Sequence, residues 1–447
     1  MVLTIAAFFF VLSIVVFVHE FGHFFLAKLN KVFVTTFSFG LGHKLIGKKI
    51  GDTEFVISAI PFGGYVKFAG ETDEEDKDQC ESEREVDVPE EELYRNKNPL
   101  QKMSIVLAGP FMNMVLALVV YILSLWFLGI FVNPSTIVRE VEEGSPALAA
   151  GFQEGDRIIE INGQPFEYWD EIDRLVTFEE GVKSSFVVER GQDTLTLELA
   201  PEYDSESGMW YVGIHSPLPP KVGNVKKDSP ADKAGIRPGA LILSVNDTTV
   251  ASYRDLARII HKQPGIPMKF EWELDGKVYT EIITPSTGEM ASEGERLDVI
   301  KVGQIGIGNY FERKKISFVE SVRYGTRAFV WILKAIIDFL GKLVTGKATI
   351  KAIGGPLRVG VMAGDMIRWG FSYLINFLAF FSLNLAIINL FPLLPFDGGH
   401  FVVYTVELVS RKRINRKVQR AMAQIGYIFL ILLMIFILFV DVLNIFS

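Results

Sequence analysis

Cysteine is almost absent from this chain of 447 residues, which contains only Cys80. A single thiol excludes an internal disulfide and a zinc site built on cysteine, so a metal ion must be held by histidine and carboxylate. Histidine is also scarce, with six residues in all. Two histidines close together in one segment are therefore a strong signal.

An excess of positive charge is absent as well. The formal net charge is −8, and no basic stretch is interleaved with aromatic residues, which excludes a nucleic-acid-binding protein. Hydrophobic residues make up 49% of the chain and the mean hydropathy is +0.29, too apolar for an ordinary soluble protein. The composition predicts several membrane spans combined with soluble domains.

Residues 2–27 lack every ionisable side chain except His19, Glu20 and His23. This apolar run is long enough to cross a bilayer as a helix. It lacks the short apolar core and the small-residue cleavage site of a secretory signal peptide, so we expect it to be retained. Ionisable groups inside hydrocarbon are costly and usually functional.

His19 and His23 are four residues apart and share one face of a helix, where both can bind Zn²⁺. Glu20 is then a candidate general base. The alternative is a histidine pair satisfied by neighbouring backbone, which does not explain three ionisable groups in a membrane span. The pattern predicts a zinc hydrolase site within the bilayer.

Lysines after this run predict its orientation. Five of them lie close to the membrane: Lys28, Lys31, Lys44, Lys48 and Lys49. The positive-inside rule places them in the cytoplasm and the N-terminus outside. Since His19 lies about 26 Å along the helix, the zinc is expected near the cytoplasmic face.

Residues 31–70 are rich in β-branched and aromatic residues and in turn-forming glycines, which predicts a small β-sheet. Its uncharged segment 57–65 is compatible with a sheet that enters the membrane against protein, or with a small cytoplasmic hairpin. Residues 71–97 contain a dense acidic run and are predicted to be a cytoplasmic linker.

The uncharged stretch that follows predicts a second transmembrane helix at 98–134. Within it, Gly109, Pro110 and Asn113 either loosen the helix or mark its start and a contact with another helix.

The next segment contains a repeat with a spacing of 84 residues. Its first copy contains Ser145-Pro146-Ala147, Gly151, Gly155 and Asn162, and its second contains Ser229-Pro230-Ala231, Gly235, Gly239 and Asn246. The repeat predicts two β-rich domains at 135–220 and 221–310. Its pattern resembles bacterial PDZ domains, which bind an extended peptide as an added strand, although a purely steric gate fits equally well.

Residues 311–367 are amphipathic, since Lys334 and Asp338 interrupt an apolar stretch, and are expected to lie on or half within the membrane. Uncharged runs predict transmembrane helices at 368–396 and 421–447. Between them, residues 397–420 contain Asp397 and a basic loop, which the positive-inside rule places in the cytoplasm.

Asp397 directly follows the third predicted span. Spans one and three both run inward, so this carboxylate and the two histidines are expected near the same membrane face. Two histidines and one carboxylate leave a fourth zinc position open for water, as in catalytic sites. The alternative for Asp397 is an ordinary helix-end residue.

Four features in this order resemble the site-2 protease family, especially its bacterial RseP branch. They are HEFGH at 19–23, AGPFMN at 108–113, two PDZ-like modules and NLFPLLPFDGG at 389–399. The resemblance implies a polytopic α-helical membrane protein with four transmembrane helices, a small membrane-reentrant β-sheet and two extracytoplasmic PDZ-like domains. It also implies a location in the bacterial inner membrane, with the PDZ-like domains and both termini in the periplasm.

The resemblance further implies an intramembrane zinc metalloendopeptidase that uses zinc-activated water. Its substrates would be single-span membrane proteins already trimmed outside, namely anti-sigma factors and signal-peptide remnants. By this resemblance His19, His23 and Asp397 bind one Zn²⁺ and Glu20 is the catalytic base. The implied substrate-binding residues are Asn389, Asn384, Gly63, Gly64 and Tyr65. The chain departs from the family pattern in one place, where Leu394 replaces the second proline, Pro395 follows it and Phe396 replaces a leucine.

Two other functions remain open. A membrane-anchored zinc protease for soluble or misfolded proteins requires a site outside the hydrocarbon, whereas His19 lies well inside the first span. A non-enzymatic PDZ scaffold in the membrane has no need for Glu20.

Overall fold

The computed structural model describes residues 2–70, 88–179, 181–204, 209–216, 218–291, 299–347 and 355–446. Most of the predicted acidic linker and Cys80 lie outside these ranges. The chain forms two compact units. Met1–Trp126 and Ser317–Ser447 contribute to the first, here called the membrane unit, while Phe127–Ala291 and Val299–Ile316 form the second, the module unit.

Long helices dominate the membrane unit. They are α1 (Val2–Leu29), α2 (Pro99–Leu128), α3 (Phe318–Val344), α4 (Pro356–Trp369), α5 (Phe371–Asn389), α6 (Asp397–Ser410) and α7 (Arg416–Phe446). Two strands, β1 (Val34–Ile50) and β2 (Thr53–Phe68), and two single turns of 3₁₀ helix, Glu90–Glu92 and Tyr94–Asn96, lie between α1 and α2.

Four helices in the described part of the chain are long and apolar enough to cross a membrane. They are α1, α2, α5 and α7, the same four segments that the sequence predicts. The amphipathic α3 and α4 are not among them. The core of this unit places Val11 and Val15 of α1 against Leu374 and Phe377 of α5 and Ala363 of α4. The helix that bears the two histidines is therefore held on one side by a closely packed apolar contact.

Three helix boundaries differ from those expected. The second apolar helix ends at Leu128, because Gly129 adopts a positive φ of 77° and a short strand follows. The third ends at Asn389, since Pro392 and Pro395 cannot continue a helix. The prediction of a loop over residues 397–420 is wrong for its first part, which forms α6.

Strands β1 and β2 form an antiparallel sheet with an irregular register. Residues 34–39 pair with 64–68 and also with 54–57, while residues 44–50 pair with 53–58. The segment 64–68 therefore lies at an edge of this small sheet. Phe37 packs edge-on against Phe17 and Phe24 of α1, which fixes the sheet beside that helix.

The module unit contains two four-stranded sheets. The strand order is Gln164–Pro165, Arg157–Ile161, Ser184–Arg190, Asp193–Leu199 in the first and Thr248–Thr249, Leu241–Val245, Met268–Leu274, Lys277–Ile283 in the second. Each strand of the second sheet begins 84 residues after its counterpart, so the sequence repeat is a repeat of structure.

Short helices accompany both sheets: Pro146–Ala149, Ile172–Leu175 after the 3₁₀ turn Trp169–Glu171, Pro230–Lys233 and Tyr253–His261. Five two-stranded pairings complete the unit. They are Ile130–Val132 with Glu312–Lys314, Glu140–Val141 with Ile214–His215, Glu202–Asp204 with Met209–Tyr211, Val222–Val225 with Ile307–Asn309, and Ser286–Ala291 with Val299–Gln304.

The two modules have separate cores. Phe152 and Phe186 are fully buried in the first, and Phe270 and Trp272 occupy the second. Ser145 and Ser229 cap the two short helices at equivalent positions, each accepting a backbone N–H with its hydroxyl. Each module thus buries its own apolar residues, as expected for a duplicated domain.

Candidate active site

His19 and His23 lie one turn apart on α1 and turn their rings toward the same point. Their Nε2 atoms are 3.2 Å apart. His19 is only 8% exposed, although the helix that carries it is otherwise apolar. The helical repeat alone accounts for this pairing, as the sequence predicts.

Asp397 is the first residue of α6, and its carboxylate faces both histidines. Its Oδ2 lies 3.2 Å from His19 Nε2, and its Oδ1 lies 3.6 Å from His23 Nε2. Gly398 and Gly399 follow it, and a Cβ on either would overlap the backbone of residues 390–394. The two glycines therefore let the turn after α5 fold tightly onto α6 and bring Asp397 to the histidines.

The three side chains lie close enough to share one zinc ion. Tetrahedral ligands about 2.0–2.1 Å from Zn²⁺ lie roughly 3.3–3.5 Å from one another. The two Nε2 atoms are 3.2 Å apart, Asp397 Oδ2 is 3.2 Å from that of His19, and Asp397 Oδ1 is 3.6 Å from that of His23. Among the described residues, His19, His23 and Asp397 form the group that can hold a metal ion.

Helix α2 orients both imidazole rings. The carbonyl oxygen of Ile105 lies 2.8 Å from Nδ1 of His23, so it accepts the Nδ1 proton and leaves Nε2 free for a metal. The Asn113 amide lies 3.4 Å from His19 Nδ1. The side-chain oxygen Oδ1 of Asn113 has no hydrogen-bond partner within the described ranges. A rotation of the side-chain amide by about 180° lets Oδ1 accept the Nδ1 proton of His19.

The sequence does not predict the main role of Gly109, which is to leave space for the two histidine rings. A Cβ at this position would overlap His23 Nε2 and lie 2.7 Å from His19 Cε1. On α1, a Cβ at Gly22 would similarly lie 2.7 Å from the carbonyl carbon of Ala108. A glycine on each helix therefore allows α1 and α2 to approach closely enough for Ile105 and Asn113 to reach the rings.

Glu20 lies between the histidines and the small sheet. Its carboxylate interacts electrostatically with His19, His23 and Asp397. A Cβ at Gly64 would lie 2.9 Å from Glu20 Cγ and 2.8 Å from the Ser38 carbonyl oxygen. The lack of a side chain at Gly64 thus makes room for Glu20 beside the metal-binding group.

The remaining predicted site residues differ in how close they lie to the histidines. The Asn389 side-chain nitrogen lies 3.3 Å from His19 Nε2, which places this residue in the site. Asn384 instead donates its amide to the Phe380 carbonyl of its own helix. Gly63 has a positive φ of 115°, and Tyr65 pairs with Ser38 in the edge segment next to Gly64.

Comparison with known proteins gives a consistent result. The family model for peptidase family M50 matches residues 7–433. A protein named as a zinc metalloprotease in Neisseria meningitidis is 32% identical over 98% of both chains. Protease RseP of Yersinia pestis is 31% identical over 98% of both, and the regulator of sigma E protease of Haemophilus influenzae is 29% identical over 99% of both.

Among solved structures, a PDZ domain from an SdrC-like protein of Listeria monocytogenes aligns with 22% of this chain and 93% of its own. The identity is 20% and the TM-score is 0.17, which does not establish a shared fold.

The match along almost the whole chain settles the class of protein. It is a protein of the inner membrane, and Zn²⁺ is its cofactor. Ligand atoms of His19, His23 and Asp397 lie within 4.8 Å of one another, close enough to share that ion. This chain therefore belongs to peptidase family M50, the site-2 proteases, and is an intramembrane zinc metalloendopeptidase.

Proposed function

We propose that this protease cleaves single-span membrane proteins whose outer domains have already been removed. The observation that carries the proposal is a group of three metal-ligating side chains, with ligand atoms within 4.8 Å of one another, that includes two histidines of a helix apolar enough to span a bilayer. Anti-sigma factors and signal-peptide remnants are the proposed substrates. Several relatives are named as a regulator of sigma E protease, which supports the first of these substrate classes.

The geometry of the site supports a separate role for each of its residues. His19, His23 and Asp397 hold the zinc ion, and Ile105 and Asn113 fix the tautomers of the two imidazoles. A bound zinc ion lowers the pKa of its water and polarises the scissile carbonyl. Glu20 takes up a proton and delivers it to the leaving amine.

A substrate helix must expose its backbone before hydrolysis, because its peptide groups are bonded within the helix. Gly64, in the edge segment 64–68, lies beside Glu20. We infer that the substrate adds to this edge as an extended strand, with Gly63, Gly64 and Tyr65 along it. The side-chain amide of Asn389 then binds a freed substrate carbonyl or N–H, whereas Asn384 has a weaker case.

We further infer that the small sheet enters the membrane and that the zinc lies near the cytoplasmic face, because the lysines after α1 and the basic residues after α6 favour the inner side. Both termini and the module unit are then periplasmic. The two modules are proposed to be PDZ-like domains that exclude substrates with bulky outer domains. Their repeated sheets and separate cores support this assignment.

The first test compares the wild type with Glu20→Gln on a model single-span substrate that lacks its outer domain. Zinc is quantified in each purified protein, and Glu91→Gln, which replaces an exposed carboxylate in the 3₁₀ turn Glu90–Glu92, is the matched control. We expect cleavage by the wild type and the control, and a loss of at least 10³-fold in Glu20→Gln at equal zinc content.

Three outcomes would contradict the proposal. Equal cleavage by Glu20→Gln would assign the activity to a contaminating protease. Efficient digestion of an unfolded soluble protein, with the membrane substrate left intact, would favour a membrane-anchored protease for soluble proteins. A zinc-loaded wild type that cleaves neither substrate would favour the scaffold.

A further inference from the structure

A second polar pocket lies in the membrane unit, at the end of α2 that is predicted to face the cytoplasm. Its volume is about 350 Å³, and it is lined by residues that precede and begin α2 and by residues at the end of α6. Because α2 is one of the four apolar helices, the pocket borders the surface of the bilayer. None of its lining residues belongs to the zinc site.

Positive charge dominates this basic pocket. Five lining residues carry positive charge and one carries negative charge: Lys97, Lys102, Arg411, Lys412 and Arg413, against Glu407. Lys97 and Lys102 donate to backbone carbonyl groups, those of Lys31 and Arg95, rather than directly to a carboxylate. In the described part of the chain, Arg411, Lys412 and Arg413 form no ion pair.

The single carboxylate also holds the adjoining turn. Glu407 accepts the backbone N–H of Ile414 at 2.9 Å and the side-chain N–H of Gln419 at 3.3 Å. It therefore closes the turn between α6 and α7. Lys102 is attracted by the Glu407 carboxylate and repelled by the like charge of Arg413. Cations that face one another around a cavity are stabilised by a bound anion.

The side chains around the pocket are also held in position. The Lys102 ammonium lies 5.5 Å from the Tyr94 ring centroid and 5.6 Å from that of Tyr404. Arg411 caps α6 in the left-handed region, at φ 51°, where glycine or asparagine is normally preferred. An arginine at this position places a guanidinium at the pocket at some cost in backbone energy.

We propose that the basic pocket binds a phosphate group, presented by an anionic phospholipid of the bilayer that it borders. Guanidinium and ammonium groups bind phosphate oxygens through charge-assisted hydrogen bonds. Basic pockets between transmembrane helices on the cytoplasmic side are a known way to hold lipid headgroups. The volume is sufficient for a phosphoglycerol headgroup, while the acyl chains remain in the bilayer.

Native mass spectrometry of the full chain in detergent tests this proposal. The protein is titrated with dioleoylphosphatidylglycerol, with zwitterionic dioleoylphosphatidylcholine and with inorganic phosphate. We expect one phosphatidylglycerol molecule bound at least about tenfold more tightly than phosphatidylcholine. Phosphate that binds while phosphatidylglycerol does not would overturn the lipid source and assign the pocket to a free phosphate.

The main variant is Arg411→Asn with Arg413→Gln, since asparagine tolerates the left-handed conformation of residue 411. The matched control is Lys48→Gln with Lys49→Gln, which removes the same charge from exposed positions on the small sheet. We expect the pocket variant to lose phosphatidylglycerol affinity about tenfold or more and the control to stay within about twofold. Equal losses of phosphatidylglycerol affinity in both variants would mean that the overall charge of the protein attracts the lipid, and would overturn the proposal.

A second variant keeps the test valid if the charge substitutions impair folding. Leu408 lines the pocket and is 39% exposed, so Leu408→Trp fills the cavity without a change in charge. Reduced phosphatidylglycerol binding with an unchanged melting temperature would support the pocket as the binding site. Unchanged binding in a folded Leu408→Trp protein would place the lipid elsewhere and overturn the proposal.

Discussion

At the scale of single residues, the site depends as much on absent side chains as on present ones. The histidines and Glu20 are visible in the sequence because their spacing is that of a helical zinc motif. Gly109 and Gly64 are not visible in this way, since nothing in their neighbours along the chain indicates which atoms a Cβ would meet. Their roles follow only from the contacts between elements.

Gly109→Ala provides a direct test of that view. The added methyl group would overlap the His23 ring, so we expect zinc affinity to fall about 10–100-fold, with loss of proteolysis. Zinc content after dialysis at fixed free zinc measures the effect. Gly360→Ala is the control, because a Cβ there meets Phe8 at an ordinary 3.8 Å; equal zinc loss in both variants would contradict the steric explanation.

Asn389→Leu tests the substrate-binding prediction. Leucine has a similar size but no amide, so we expect turnover to fall about 10²-fold while zinc stays bound, because a freed substrate group would lose its partner. Cleavage rate and zinc content are measured on the same sample. Asn384→Leu is the comparison, as that amide serves its own helix. Normal turnover in Asn389→Leu would exclude the role.

At the scale of elements, the sequence predicts the apolar helices and the repeat, because both are periodic patterns. It does not predict α6, since residues 397–410 begin with aspartate and two glycines and follow two prolines, a composition typical of a loop. Packing overrides that local preference: the glycines allow contact with residues 390–394. Asp397 thereby becomes the first residue of a helix rather than part of a turn.

The first module contains a buried ion pair that has no counterpart at the equivalent positions of the second. Asp156 of the first is fully buried and accepts bidentate hydrogen bonds from Arg190 at 2.7 and 2.8 Å, whereas Ala240 and Leu274 occupy the equivalent positions of the second. Burial raises the pKa of the Asp156 carboxyl, but hydrogen bonds from Arg190 and the Gln153 backbone lower it more, so the net pKa is below the ordinary value.

This difference predicts different acid stabilities. A carboxyl with a lowered folded pKa stabilises the fold above its unfolded pKa, and that stabilisation is lost as the pH falls through the folded pKa, here below about pH 4. Hydrogen exchange, corrected for intrinsic rates, compares Ser184–Arg190 with Met268–Leu274 at pH 7 and pH 3. We expect protection from exchange to fall between pH 7 and pH 3 in the strand of the first module and not in that of the second, because only the first module loses this stabilisation.

Asp156→Asn should remove the same contribution at pH 7, because the buried partner of Arg190 is no longer charged. We expect the free energy of unfolding of the first module to fall by about 2–4 kcal/mol. Ala240→Ser is the control substitution in the second module. Equal acid sensitivity of both modules, or an Asp156→Asn protein as stable as the wild type, would contradict the assignment.

At the scale of the whole molecule, order along the chain carries most of the functional information. The HEFGH motif, the repeat and Asp397 predict the zinc chemistry and the separation into a membrane unit and a module unit. The sequence does not predict how β1 pairs with two separate segments of β2, because those contacts depend on local irregularities in register. The position of Glu20 against Gly64 follows from that pairing.

Zinc removal should affect the two units differently. A zinc ion held by the proposed ligands His19, His23 and Asp397 would link α1 to α6, and a ligand at about 100 times its dissociation constant stabilises a fold by about 2.7 kcal/mol. We expect a chelator to increase hydrogen exchange in α1 and α6 and to leave the sheets of the module unit unchanged. His23→Ala should abolish this response; the same response in His23→Ala would place the zinc elsewhere.

The wide separation of the metal ligands along the chain has a consequence for biosynthesis. His23 and Asp397 are separated by 374 positions, 397 minus 23. At about 5–20 residues per second, a ribosome reaches Asp397 roughly 20–75 s after His23. During that interval the nascent chain has neither the carboxylate nor α6, so the ability to cut neighbouring membrane proteins arises only after both modules and the third apolar helix have been made.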